Sequence, residues 1–124
     1  MGLTTHVLDG VRGAGAPGVR IDLARRDGDA YGPVRSAVTG ADGRAVLQTD
    51  ALDPGDYELR FHTVAYYESD PASPGAPFLD DVLVHFAVRD AGEHYHVPLV
   101  LAPCAYWTYR GGLPPAATPT GPAA

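Results

Sequence analysis

Hydrophobic and polar residues alternate along most of this chain instead of recurring at a helical period. Val19, Ile21 and Leu23 alternate with Arg20 and Asp22; Tyr57, Leu59, Phe61 and Thr63 alternate with Glu58, Arg60 and His62; Val82, Val84, Phe86 and Val88 alternate with Leu83, His85 and Ala87. A period of two marks a strand with one face buried. Leu3 to Leu8, Tyr31 to Thr39, Arg44 to Gln48, His94 to Ala102 and Ala105 to Tyr109 extend the pattern, which predicts about eight short strands. Between them, Gly40-Ala41-Asp42-Gly43 and Asp53-Pro54-Gly55-Asp56 tolerate positive φ or pre-set a turn, as tight links between antiparallel strands require. Val64 to Ser69 breaks the alternation and predicts a helix of one or two turns, followed by a Pro/Gly-rich run from Asp70 to Pro77. The expectation is an all-β sandwich in one domain, residues 1–112. Leu113 to Ala124, with four Pro, no charge and no alternation, predicts a disordered tail over 113–124.

Composition narrows the possible chemistry. Among 124 residues, 15 Gly and 12 Pro disfavour a helix bundle, while 45% hydrophobic and 19% charged residues suit one small core rather than a disordered chain. All basic residues are Arg, and there is neither Lys nor Asn, so Schiff-base chemistry, P-loops and N-glycosylation are excluded. A net charge of −6 argues against nucleic acid or an anionic membrane as partner. The single Cys104 allows no intrachain disulfide and is expected as a small core residue. No basic leader and no apolar stretch of about 18 residues is present, which predicts a soluble, cytoplasmic protein.

The five His are the natural candidates for acid–base chemistry. On a strand, His94 and His96 share a face, and His6 projects from the face opposite Leu3, Thr5 and Val7. His62 and His85 are expected to face solvent. His-X-His also occurs in zinc sites, but no nearby carboxylate or Cys supplies a third ligand, so neither metal nor cofactor is expected. Arg44 follows a turn and Tyr109 closes the last strand, and neither is diagnostic alone.

In combination these pieces carry a resemblance. Leu3-Thr4-Thr5-His6-Val7-Leu8-Asp9, Thr39-Gly40-Ala41-Asp42-Gly43-Arg44, and His94-Tyr95-His96-Val97-Pro98-Leu99 leading to Tyr106-Trp107-Thr108-Tyr109-Arg110-Gly111 resemble the transthyretin-related 5-hydroxyisourate hydrolase family of urate breakdown, over residues 3–111. The resemblance implies a transthyretin-like, two-sheet antiparallel sandwich with one short helix, assembled as a homotetramer with sites between dimers. The hormone carrier of the same superfamily has Lys where His6 stands and lacks the closing Tyr-Arg-Gly, so His6, Arg44, His96, Tyr109, Arg110 and Gly111 favour the enzyme. The implied reaction converts 5-hydroxyisourate to 2-oxo-4-hydroxy-4-carboxy-5-ureidoimidazoline by water attack and opening of the N1–C6 bond. Its demands suggest roles: His6 and His96 activate water and move protons, Arg44 holds the anionic heterocycle and the developing oxyanion, and Tyr109 donates a hydrogen bond. Thr108, Arg110 and Trp107 join His6, Arg44 and Tyr109 as expected substrate contacts.

The chain departs from the family pattern at several points. Trp107 stands where the family has Ser, Gly112 replaces a terminal Ser and is followed by the tail, the 13–18 loop lacks the usual residue order, and His62 and Val64 replace an Asp and a Gly. Two other readings stay open on the sequence: a transthyretin-like pocket reshaped by Trp107 for another small heterocycle, and a non-catalytic sandwich interaction module. The absence of Lys and Asn removes the isopeptide-forming version of the latter.

Overall fold

The computed structural model describes residues 2–71 and 77–112. Strands β1 (Gly2–Asp9), β2 (Ala14–Gly15), β3 (Arg20–Asp27), β4 (Ala30–Val38), β5 (Arg44–Gln48) and β6 (Gly55–Phe61) precede helix α1 (Thr63–Glu68); β7 (Val82–Val88), β8 (His94–His96), β9 (Leu99–Ala102) and β10 (Ala105–Thr108) follow it. Two sheets face each other. One is the antiparallel sheet β4-β3-β6-β7. The other is built around β1, which pairs antiparallel with β2 and β5 and parallel with β8 and β9, while β10 extends it beyond β9.

The alternation read from the sequence becomes the core. Leu3, Val7, Leu47, Leu99 and Leu101 from the β1 sheet meet Ile21, Leu23, Leu59, Phe61, Val82 and Val88 from the other, all almost completely buried. Each such side chain contributes about 1.5–3 kcal/mol by leaving water, so the buried parity of the strands that carry them is strongly held.

Three elements differ from expectation. The segment His94–Ala102 is two strands rather than one, interrupted at Val97-Pro98, because Pro98 has no N–H to continue the ladder. The carbonyls at the break are satisfied from the side, by the Thr5 hydroxyl donating to Val97 O (2.6 Å) and the Thr108 hydroxyl donating to Pro98 O (2.7 Å). Secondly, β3 runs on to Asp27, past the expected end at Leu23, since the far part of the β3–β4 hairpin projects beyond the core and needs no apolar alternation. Thirdly, the two-residue β2 is too short for a periodic signal.

Helix α1 falls where the alternation stopped. His62 precedes it without a side-chain cap, and Asp81 supplies one from outside by accepting from Val64 N at 3.1 Å. Its Tyr66 hydroxyl donates to the buried Asp9 carboxylate at 2.7 Å, tying the helix to the end of β1; burial and the neighbouring Asp9 charge push the Tyr66 hydroxyl up to about 12.

Two expectations are corrected. Cys104 lies exposed in the β9–β10 turn, not in the core. His62 is half-buried rather than solvent-facing, with Nε2 2.6 Å from Asp22 and Nδ1 3.7 Å from Asp81. His85 is exposed as expected, stacked on Tyr31 and bonded to Glu58. The tail at 113–124 and the centre of the Pro/Gly-rich run lie outside the described residues.

Asp22 has a consequence for acid stability. Burial raises its carboxyl, but bonds from Ser36, His62 and Arg20 outweigh that and lower it from 3.8 to about 2. A depressed carboxyl stabilises the fold above its unfolded value, and that stabilisation is lost as pH falls from about 4 towards 2. Chemical denaturation at pH 4 and pH 2.5 is expected to show a smaller loss of stability in Asp22→Asn than in the parent chain.

Candidate active site

Three adjacent strands, in the order β5-β1-β8, place the expected polar residues on the outer face of their sheet. His6 and Arg44 are direct cross-strand partners in the antiparallel β1–β5 pair, and Thr4 and His96 are partners in the parallel β1–β8 pair. Since Thr4 and His6 lie two apart on one strand, all four side chains share a face. They line an open pocket of about 590 Å³ with Val38, Gly40 and Val46, a volume suited to a small heterocycle.

The turn before β5 holds the first pair in register. Gly43 N donates to Gly40 O (2.9 Å), Gly40 N to Arg44 O (2.8 Å), and Val7 N to Gly43 O (2.8 Å). The same turn presents the Asp42 carbonyl 2.8 Å from His6 Nε2. A carbonyl only accepts, so Nε2 carries a proton and the neutral ring keeps its lone pair on Nδ1. Arg44 is held only loosely, at 3.7 Å from the Asp42 carboxylate, and its side chain is 69% exposed. Its guanidinium can therefore turn to an anion in the pocket without breaking a buried pair.

His96 is more enclosed. Its Nδ1 lies 2.8 Å from the Thr4 hydroxyl, leaving Nε2 as the other nitrogen. Behind it, Gly111 N donates to His96 O at 2.9 Å, and a side chain at Gly111 would press on the ring. Burial lowers its pKa below 6.5, and the nearby His94, His6 and Arg44 act in the same direction, against the Thr4 backbone carbonyl, which raises it. The ring is thus neutral near pH 7 and available as a base.

The remaining expected residues lie elsewhere in the single chain. Tyr109, just past β10, lines a separate, mostly apolar cavity of about 210 Å³ with Phe86, Tyr95 and Val97. Arg110 lies over the Tyr95 ring at 4.4 Å, with a nitrogen 3.3 Å from His94 O, and the Thr108 hydroxyl is committed to Pro98. Trp107 pairs with Val100, itself opposite Leu8 of β1, so it shares the outer face with His6 but stands two strands away, about 10 Å across the sheet. Thr4 is the residue that sequence reasoning missed. Its only signal was parity, two before His6, and a hydroxyl on a strand has no motif of its own. Among the described residues no group of three or more His, Cys, Asp or Glu is arranged to hold a metal, and no helix is long and apolar enough to cross a membrane.

A two-sheet sandwich with a His–Arg–His pocket on the outer face of one sheet describes a transthyretin-type protein with acid–base groups in place. Residues 3–111 match the HIUase/Transthyretin family model, and the chain belongs to that family. It is 50% identical over 113 residues to a 5-hydroxyisourate hydrolase of Deinococcus radiodurans, covering 89% of this chain and 95% of that one. Among solved structures it resembles Klebsiella pneumoniae 5-hydroxyisourate hydrolase (TM-score 0.75, 31% identity, 90% of this chain and 100% of that chain). Sea bream transthyretin in complex with thyroxine is similar in fold (TM-score 0.79, 26% identity, 89% and 94%).

Proposed function

We propose that this chain is an enzyme that hydrolyses 5-hydroxyisourate in urate breakdown, with His6, Arg44 and His96 as its reacting groups. The observation that carries the reading is their convergence from three neighbouring strands in one pocket, in a chain half identical to a hydrolase of that name. The carrier reading is disfavoured by the same pocket, whose lining is set for proton transfer.

The chemistry follows from the geometry. Neutral His96 takes a proton from water at Nε2 as the water oxygen attacks the C6 carbonyl. Arg44 meets the charge that develops on the carbonyl oxygen, where a fixed donor contributes about 2.7–4 kcal/mol. His6, neutral and held through Nε2 by the Asp42 carbonyl, takes the remaining hydroxyl proton of the adduct on its Nδ1 lone pair and passes it to N1 as the C6–N1 bond breaks, so that C6 leaves as a carboxylate. No step calls for a cofactor.

Assembly belongs to the same proposal. The pocket is open, and Val38 and Val46 on its lining are 60% and 56% exposed, with Trp107 60% exposed on the same face. An apolar rim of this kind fits a second copy of the chain, as in a homotetramer with sites between dimers, and only across such a boundary can Tyr109, Thr108, Arg110 or Trp107 reach substrate. A reducing, cytoplasmic setting suits the exposed, unpaired Cys104.

The test is the decay of 5-hydroxyisourate absorbance, generated in situ by urate oxidase, read beside sedimentation. Purified chain is expected to accelerate the decay and sediment as a tetramer, and Val46→Glu to lower both assembly and turnover. Decay no faster than the uncatalysed background sinks the catalytic reading. A fully active monomer sinks the shared site.

A further inference from the structure

We propose that His94 is a positioning residue for this hydrolysis, acting on His96 through the Thr4 hydroxyl that the two rings share. The inference rests on His96 being the base, as argued above.

The parallel register of β1 and β8 sets Thr4 opposite His96 and Gly2 opposite His94. Since His94 and His96 lie two apart, both rings stand on the outer face, on either side of the Thr4 side chain. Thr4 Oγ1 is 2.9 Å from His94 Nε2 and 2.8 Å from His96 Nδ1. A hydroxyl has one proton to give, so with two neutral rings it donates to one nitrogen and accepts from the other. The two tautomers are therefore coupled. A base at Nε2 has its lone pair there, and the ring's own proton is then on Nδ1, the nitrogen that meets the Thr4 hydroxyl. The hydroxyl then accepts from His96 and donates to His94 Nε2, and His96 keeps its lone pair on Nε2 for the water.

The same chain of bonds carries charge away. When His96 Nε2 has taken the water proton, its Nδ1–H bond breaks as an O–H bond forms on Thr4. The original Thr4 O–H breaks as an N–H bond forms on His94 Nε2, so His96 is neutral again and the positive charge rests on His94. That moves the cation two residues along the strand, about 7 Å, in the direction away from Arg44. The groups facing His96 make the move worthwhile: His6 and Thr4 from β1, Arg44 from β5, His94 from β8, and the Gly111 and Gly112 backbone behind the ring. An imidazolium left near the Arg44 guanidinium is opposed by like charge.

The experiment compares Thr4→Val, Thr4→Ser, His94→Gln and His96→Gln by kcat, KM and the pH profile of kcat/KM on 5-hydroxyisourate. Thr4→Val keeps the shape without the hydroxyl, and His94→Gln keeps a hydrogen-bonding group that cannot take a proton. Each is expected to lower kcat about 10–100-fold with KM little changed, on the scale of lost outer-shell partners, and Thr4→Ser to restore most of it. His94→Gln is also expected to move the acid limb of kcat/KM to higher pH, because His94 no longer opposes protonation of His96. Parent-like kcat in Thr4→Val and His94→Gln, with His96→Gln inactive, overturns the relay and leaves the site assignment standing. A fall in kcat for His94→Gln with the acid limb unmoved assigns His94 a structural role and overturns the proposal. Parent-like turnover in His96→Gln overturns both this inference and the assignment beneath it.

Discussion

His96→Gln is expected to lower kcat on 5-hydroxyisourate by about 10²–10⁴-fold, the contribution of a positioned general base, while the thermal unfolding midpoint stays close to that of the parent. The ring lies on the outer face of its sheet and fills no core space, so stability has little to lose. The parent pH profile supplies the second readout. Burial, followed by His94, His6 and Arg44, keeps His96 below 6.5, so the acid limb of kcat/KM is expected below that value. Protonation there removes the base, and activity falls as pH falls through the limb. The same depression bears on stability: the unfolded ring binds its proton first, so this residue costs the fold stability as pH drops below about 6.5. Arg44→Gln provides the contrast, with a loss on the scale of a missing oxyanion donor, about 10²–10³-fold, while the acid limb is kept and moves to higher pH, because a charge opposing protonation of His96 is gone. An acid limb above 6.5 in the parent contradicts the assignment.

Gly43→Ala is expected to have a large effect for a single added methyl. Gly43 has φ of +85°, a conformation costing a non-glycine residue about 1–2 kcal/mol. A Cβ there would also collide with Val7 O and crowd Ala16 N, both main-chain atoms that cannot swing aside. The turn must shift, and with it the Asp42 carbonyl that orients His6 and the start of β5 that carries Arg44. Denaturant unfolding is expected to show a loss above about 2 kcal/mol, on the scale of strain at a special backbone position, together with loss of turnover. Gly18→Ala is the control. Its φ is +75° but a Cβ meets nothing within 4 Å, so only the conformational cost of about 1–2 kcal/mol is expected and turnover is retained. Equal losses in the two variants would remove the steric part of the argument.

The legibility of the fold varied with how directly burial is written into neighbouring residues. Strands β1, β5, β6 and β7 carry their inward side chains at every second position, and the sequence located them closely. The outer half of the β3–β4 hairpin was underestimated because it leaves the core and stops alternating. The division of β8 from β9 was missed because Pro98 interrupts a run whose buried positions, Tyr95, Val97, Leu99 and Leu101, keep perfect alternation across the break. Cys104 was misplaced because a small thiol beside Pro103 carries no local sign of whether the turn it occupies packs inward.

For the site, parity was enough to set His6 and His96 on outward faces, and the resemblance added Arg44. Parity within a strand says nothing about which strand lies beside it. The neighbours of β1 are fixed by main-chain hydrogen bonds between segments some 40 and 90 residues apart in sequence. Thr4 therefore gained its meaning only when β8 came to lie against β1, and His6 only when the 40–43 turn brought a carbonyl to its Nε2. The closing block shows the converse. Trp107, Thr108, Tyr109 and Arg110 carried much of the family resemblance, yet the single chain directs them away from the pocket, towards its rim, its edge and Tyr95. The sequence by itself thus determined the strands, their buried faces, the turns and the chemical inventory, because each depends on neighbouring residues and on transfer from water. Strand order, register, the tautomer of His6, and the sharing of Thr4 were decided only by the tertiary structure, because each depends on a hydrogen bond whose partners meet after the chain has closed.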